Sequence, residues 1–273
     1  MKHMIKVKTL LFVLVIALSS CNKAPKCSID TPADNQTFTI ADSIFVKVTA
    51  EDKDGSIAHV SLFINNNLHA KVEESPYDFV IPSGTLTEGS YKLKIEAADN
   101  EGKVGEANIS IVVNPKLFTI GEMYDVGGIQ GQVYKISDEG KHGMIRSLDF
   151  VKLSWGNELD QTSAQDENDG VANMNRIKNN FNIENYPAFK WCDEKNTNGV
   201  SGWYLPAINE VVDMHSVKTQ LNIPFSGEYG VWSSTEQPDE TGNAFFKAFN
   251  LDSPFNQKGS KYKKYVVIAV RKF

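Results

Sequence analysis

Apolar and polar residues alternate with period two across most of residues 29–114. Ile44, Val46, Val48 and Ala50 interleave with Phe45, Lys47 and Thr49. Val60, Leu62 and Ile64 interleave with Ser61 and Phe63. Tyr91, Leu93, Ile95 and Ala97 interleave with Lys92, Lys94 and Glu96, and Ile109, Ile111 and Val113 close the set. Such alternation places one strand face on a core and the other in water. Turn-forming residues separate the runs: Asp54-Gly55, Asn65-Asn66-Asn67, Glu88-Gly89 and Asn100-Glu101-Gly102. No helical pattern interrupts them, so about seven short strands in this stretch predict an all-β sandwich.

Beyond Asn114-Pro115-Lys116 the pattern changes, because proline ends the preceding strand. Residues 115–120 read as a linker and 121–273 as an α+β domain. Val133 to Ile136 predicts a strand, Asp138 to Gly143 a turn, and Met144-Ile145 the return strand. Residues 172–181 suit a helix with Met174, Ile177 and Phe181 on one stripe. Pro187 starts a second, short helix and Pro206 a third, with Ile208, Val211, Val212 and His215 on one face. Strands are predicted over 230–234, 244–251 and 265–270. Helices between two sets of strands predict that the ends of this region pair in one sheet.

The start of the chain is organised differently. Lys2, Lys6 and Lys8 precede an apolar run from Leu10 to Leu18, followed by Ser19-Ser20-Cys21. A basic start, a short apolar core and a small-residue exit describe a secretory signal over 1–20. The run falls short of the roughly 20 apolar residues a membrane-crossing helix needs. Leu-Ser-Ser-Cys resembles the lipobox of bacterial lipoproteins. That resemblance implies cleavage before Cys21, lipidation of its thiol and anchoring in a membrane; the plainer reading is an ordinary signal peptide with a coincidental cysteine. Residues 21–28, which contain Pro25, then form a tether. The expected location is the outer membrane; the residues after Cys21 lack the acidic cluster associated with surface export in some lipoproteins, which favours its periplasmic face and leaves the surface face open.

The 273-residue chain carries a net charge of −6. Removing the three signal lysines gives −6 − 3 = −9 for the remainder. An acidic protein of this kind is not a general nucleic-acid binder. Its 41% apolar content is enough for packed cores. With Cys21 lipidated, Cys27 and Cys192 remain. A bridge between them is compatible with an oxidising envelope, but two unpaired thiols, with Cys192 as a small buried hydrophobe, is the preferred reading.

Two family resemblances follow from these residues. Asp54-Gly55-Ser56-Ile57, Val60 to Asn65, Ser75-Pro76-Tyr77, Gly89-Ser90-Tyr91 and Ala98 to Gly102 resemble bacterial immunoglobulin-like domains, which usually serve as spacers or adhesive modules. The antibody cysteine pair and core tryptophan are absent. In the second region, Gly127-Gly128-Ile129, Gly140 to Gly143, Trp203-Tyr204-Leu205-Pro206, Val231 to Glu236 and Val270-Arg271 resemble the DUF1566 family, the Legionella collagen-like protein C-terminal domain. That resemblance implies a C-type-lectin-like fold and a binding module. It departs from the family at Ala207-Ile208-Asn209 and in the acidic stretch Asp160 to Asp169.

Candidate chemistry is sparse. Gln237-Pro238-Asp239, with Glu240, matches a triplet that supplies calcium and sugar ligands in C-type lectins, but the Trp-Asn-Asp partner of that site is missing. A solvated turn containing proline is the preferred reading. Lys258, Lys261, Lys263 and Lys264 form the one basic cluster, suited to a sulfated or carboxylated glycan or to a solvated loop. Trp155, Trp191, Trp203 and Trp232 could stack on sugars, but their apolar neighbours favour core packing. Glu51-Asp52-Lys53-Asp54-Gly55 is an incomplete calcium loop. Beyond the signal, the histidines His59, His69, His142 and His215 form no metal-ligand pair by spacing, and no catalytic triad can be assembled. The expected function is a non-catalytic head that recognises polysaccharide or a surface protein, as in adhesion. The alternative is a structural subunit of an envelope complex.

Overall fold

The period-two runs become strands wherever one face can be buried. The computed structural model describes residues 22–221, 223 and 230–273. The signal and the Cys21 lipidation site lie outside the described residues. The chain begins with β1 (Lys26–Thr31), β2 (Gln36–Thr39), β3 (Ile44–Glu51) and β4 (Ile57–Ile64). β5 (Asn67–Val72), β6 (Phe79–Ile81), β7 (Gly89–Asp99) and β8 (Val104–Asn114) follow. One sheet has the order β1-β3-β6 and the other β2-β8-β7-β4-β5. β2 runs parallel to β8, while β1–β3, β4–β5 and β4–β7 are antiparallel. Residues 26–114 are thus a β-sandwich. Val46, Val60, Leu62, Leu93, Ile95 and Ala97 are fully buried, as the alternation requires, and Phe45 faces out at 63% exposure. After β3, residues 52–55 turn the chain: Asp52 Oδ1 accepts from the Asp54 N–H at 3.3 Å, and Ser56 N–H donates to Asn100 Oδ1 at 3.0 Å. Asp99 holds the next turn, accepting from the Glu101 and Lys103 N–H groups at 2.8 Å each.

Two compact units emerge from backbone proximity. One comprises the described residues to Asp34 with Phe45–Phe79 and Lys92–Ser110; the other comprises Asn35–Ile44, Val80–Tyr91 and Ile111–Phe273.

Past residue 114 the strands are β9 (Met123–Val126), β10 (Ile129–Ser137), β11 (His142–Arg146) and β12 (Val151–Ser154). The helices are α1 (Gly170–Asn180), α2 (Pro187–Asp193), α3 (Ile208–Ser216) and α4 (Lys218–Leu221). The final strands are β13 (Gly230–Glu236), β14 (Asn243–Ala248), β15 (Gln257–Ser260), β16 (Lys264–Val267) and β17 (Val270–Lys272). They form sheets ordered β17-β11-β10-β9 and β12-β16-β13-β14-β15. The last strand, β17, pairs with β11, so the two ends of this region share a sheet. Trp155, Tyr186 and Phe189 make edge-to-face contacts within the core at 4.8 to 6.1 Å between centroids. Trp155, Trp203 and Trp232 are buried, whereas Trp191 is half-buried under the Lys195 ammonium. Cys192 is a buried free thiol held well above its usual pKa by burial, and Cys27 is also free.

Three local expectations need correction. The buried face of α3 is Ile208, Glu210, Val211 and Met214, with Val212 and His215 only half-buried. The helix rotates because the Glu210 carboxylate is drawn inward by three donors. The strand expected over 244–251 stops at Ala248, and β15 forms although its sequence has no apolar alternation to announce it.

Candidate functional site

The residues singled out by sequence separate into three environments. Gln237, Asp239 and Glu240 lie in the turn after β13, with Asp239 at φ 63°. Both Glu240 carboxylate oxygens are used, one by the Lys258 ammonium and the other by Asn243 Nδ2 at 2.8 Å. The Gln237 amide donates to Pro238 O at 3.2 Å. Calcium takes six to eight oxygens, and a turn whose glutamate is already ion-paired does not supply them. Among the described residues, no group of three or more His, Cys, Asp and Glu side chains is placed to hold a metal ion.

Lys263 and Lys264 are exposed, and Lys258 is exposed beside Glu240. Lys261 is not part of that surface. It is fully buried and paired with the equally buried Glu236. The basic cluster expected from sequence thus loses one member to the interior, because an acid 25 positions earlier reaches the same point.

The Glu236–Lys261 pair organises the acidic stretch that follows Trp155. Glu236 Oε1 accepts from Thr162 N–H at 2.9 Å and Oε2 from Ser163 N–H at 2.7 Å. Lys261 also donates to Asp160 O at 2.7 Å and lies 4.8 Å from the Trp155 ring centroid. Burial opposes the Lys261 charge, and Glu236 and Asp160 support it. The Tyr186 hydroxyl donates to Asp160 Oδ2 at 2.7 Å. A buried charge is tolerated only when paired and fully hydrogen-bonded, and these partners meet that condition.

The rest of the acidic stretch supplies turn and cap acceptors. Asp169 caps α1, accepting from Val171 and Ala172 N–H groups at 2.9 and 3.2 Å. Asp166 Oδ1 accepts from the N–H groups of Asn168 and Asp169 at 2.8 and 2.9 Å. Asn173, buried on α1, donates to Asp166 O at 2.7 Å and to Ser234 Oγ at 3.0 Å. Glu210 accepts from the Tyr204 hydroxyl at 2.7 Å, Ala207 N–H at 2.8 Å and Gly170 N–H at 3.3 Å. Burial nevertheless raises its pKa. Arg146, pushed down to about 10 by burial, donates to Gln132, Ser147 and Leu221 oxygens. These groups position loops. Their hydrogen-bonding capacity is turned inward, and sequence spacing gave no sign of which acid meets which base.

Comparison with known proteins bears on the first region. Residues 25–95 match the family model described as a bacterial Ig domain. Among solved structures, fibronectin(III)-like modules of Clostridium thermocellum CbhA are similar at 21% identity, covering 33% of this chain and 47% of theirs, with a TM-score of 0.31. An endo-β-1,4-mannanase from Thermotoga petrophila is similar at 16% identity, covering 34% of this chain and 20% of its own, with a TM-score of 0.29. The PKD1 domain of Vibrio anguillarum Epp is similar at 18% identity, covering 34% of this chain and 96% of its own, with a TM-score of 0.26. The chain thus spans less than half the length of the first two. No curated protein matches it.

Proposed function

We propose that this chain is a lipid-anchored envelope protein in which an immunoglobulin-like spacer carries a non-catalytic binding head. The observation that carries the reading is the bacterial Ig domain at 25–95, placed directly after a lipobox-like Cys21. Domains of that family are typically non-catalytic. The tether is residues 21–28, the spacer 29–114, the linker 115–120 and the head 121–273, for which the DUF1566 resemblance supports a C-type-lectin-like binding module. The inward use of Glu236, Lys261, Glu210 and Arg146 fits a head whose loops are fixed in advance of binding. A preorganised loop costs less to order when a ligand arrives. The ligand class is a polysaccharide or surface protein, and the location is the outer membrane.

Mass spectrometry of the protein purified from its own membranes tests the anchor. The expected product begins at an acylated Cys21; an unmodified or unprocessed terminus contradicts it. Crosslinking in cells tests the head. Glycan-dependent retention supports recognition, while discrete protein adducts independent of glycan favour a structural subunit.

A further inference from the structure

We propose that the cleft bordered by Phe246, Tyr265 and the 249–256 loop is a binding site for a neutral sugar ring; this rests on the reading of the second region as a binding head. The cleft has a volume of about 290 Å3, near the small end of ligand sites. Its aromatic wall is built by two glycines. A Cβ on Gly230 would lie 2.4 Å from Phe246 Cδ2, and one on Gly259 would lie 2.8 Å from Tyr265 Cε2. Without side chains at those positions, the Phe246 and Tyr265 rings stack against each other, 4.4 Å between centroids and 29° apart. Trp232 buttresses Tyr265 edge-on at 4.7 Å. Both stacked rings remain half-buried, with part of each surface open to solvent.

The loop that supplies Asn250 and Leu251 to the lining is tied down by hydrogen bonds to its backbone. Lys218 donates to Phe249 O at 3.1 Å, and His215 Nε2 lies 2.9 Å from Leu251 O. Lys247 donates to Ser253 O at 2.6 Å and Phe255 O at 3.2 Å. Three basic side chains therefore hold the carbonyls of alternate residues of one loop. The Gln257 amide adds two bonds, accepting from Ala248 N–H at 3.0 Å and donating to Phe255 O at 2.8 Å. The loop's outward groups, Asn250 and Leu251, are exposed and line the cleft.

The chemistry of this lining selects its occupant. Aromatic rings suit the C–H face of a pyranose, and the exposed Asn250 amide suits its hydroxyls. No lining residue is acidic or basic, so nothing there compensates a sulfate or carboxylate. A neutral sugar fits better than the anionic glycan that the exposed lysines invited. A loop tied down in this way reduces the ordering cost of binding.

The test uses the full chain in detergent micelles, titrated calorimetrically with neutral hexasaccharides of β-1,4-glucan, β-1,4-mannan and α-1,4-glucan. Heparin and an apolar peptide serve as controls. The expected result is binding of at least one neutral hexasaccharide, weakened about tenfold by Phe246→Ala, which removes half of the aromatic pair. Asn250→Ala and Leu251→Ala alter exposed positions, so they keep the fold and are expected to weaken binding about threefold or more. Neutral-sugar binding unchanged in all three variants overturns the cleft and leaves the head standing. Binding of heparin or peptide alone does the same. Binding of no probe overturns the cleft, and if crosslinking also yields only glycan-independent protein adducts, the head reading falls with it.

Discussion

The two halves of this molecule spend their polar residues in opposite ways. In residues 26–114, polar side chains face water or tie turns, and the interior is apolar. Ser61 and Asp99 are the buried polar residues there among those described, and Asp99 serves a turn. After residue 114, charged groups go inside: Glu236 with Lys261, Glu210 with Tyr204, and Arg146 with Gln132. The first pattern makes a sandwich from periodicity alone. The second makes irregular loops rigid by giving each buried charge a set of partners. A spacer needs only the former; a head that presents fixed loops needs the latter.

The sharpest way to break this comparison is to remove one member of the buried pair. Lys261→Ala leaves Glu236 charged in the interior and is expected to cost about 3–5 kcal/mol. Urea unfolding followed by tryptophan fluorescence reads this directly, since all four tryptophans lie beyond residue 114. A cost below about 1 kcal/mol, typical of an exposed pair, would show that the contrast between the halves is false. In the sandwich, the equivalent damage comes from an apolar deletion. Leu62, fully buried, is expected to cost about 3 kcal/mol as Leu62→Ala, measured by circular dichroism in urea. Asp169→Ala, which strips the cap from α1, is expected to cost about 1 kcal/mol.

The smallest effect is a difference in pH response. Burial raises the Glu210 pKa above 4.5. The folded state then binds a proton more tightly than the unfolded chain. Glu210's contribution is complete below pH 4.5 and is lost as pH rises through the folded value. Asp99 behaves in the opposite sense. Burial opposes its charge, but hydrogen bonds from Asn22, Lys103, Glu101 and Gly102 outweigh it and lower its pKa below 3.8. Its contribution is present above pH 3.8 and is lost as pH falls through the folded value. Denaturation midpoints of Glu210→Gln and Asp99→Asn across pH 3 to 7 should change slope in opposite directions; equal slopes contradict this.

The same contrast explains what could be read from sequence. Ile44, Val46 and Val48 declare their buried face because the strand period is two and their neighbours are polar. Helix starts at Pro187 and the residues near Pro206 are legible for a similarly local reason. Glu236 and Lys261 were not legible as a pair, since only the β13-to-β15 topology brings them together. Nor were the partners of Glu210, which turn a carboxylate on α3 inward and displace His215 from the expected stripe. The Phe246–Tyr265 cleft depends on two glycines on different strands, a signal that acquires meaning only once the sheet order is known.

The account rests on the region beyond residue 114 doing the binding while the sandwich does none. The most direct test is a glycan array probed with the full chain in detergent, beside two double variants at exposed positions. Phe45→Asp with Leu68→Asp alters the sandwich surface; Asn250→Ala with Leu251→Ala alters the cleft rim. The account predicts an unchanged binding profile for the first and a weakened one for the second. Loss of binding in the sandwich variant, with the rim variant unaffected, would contradict it.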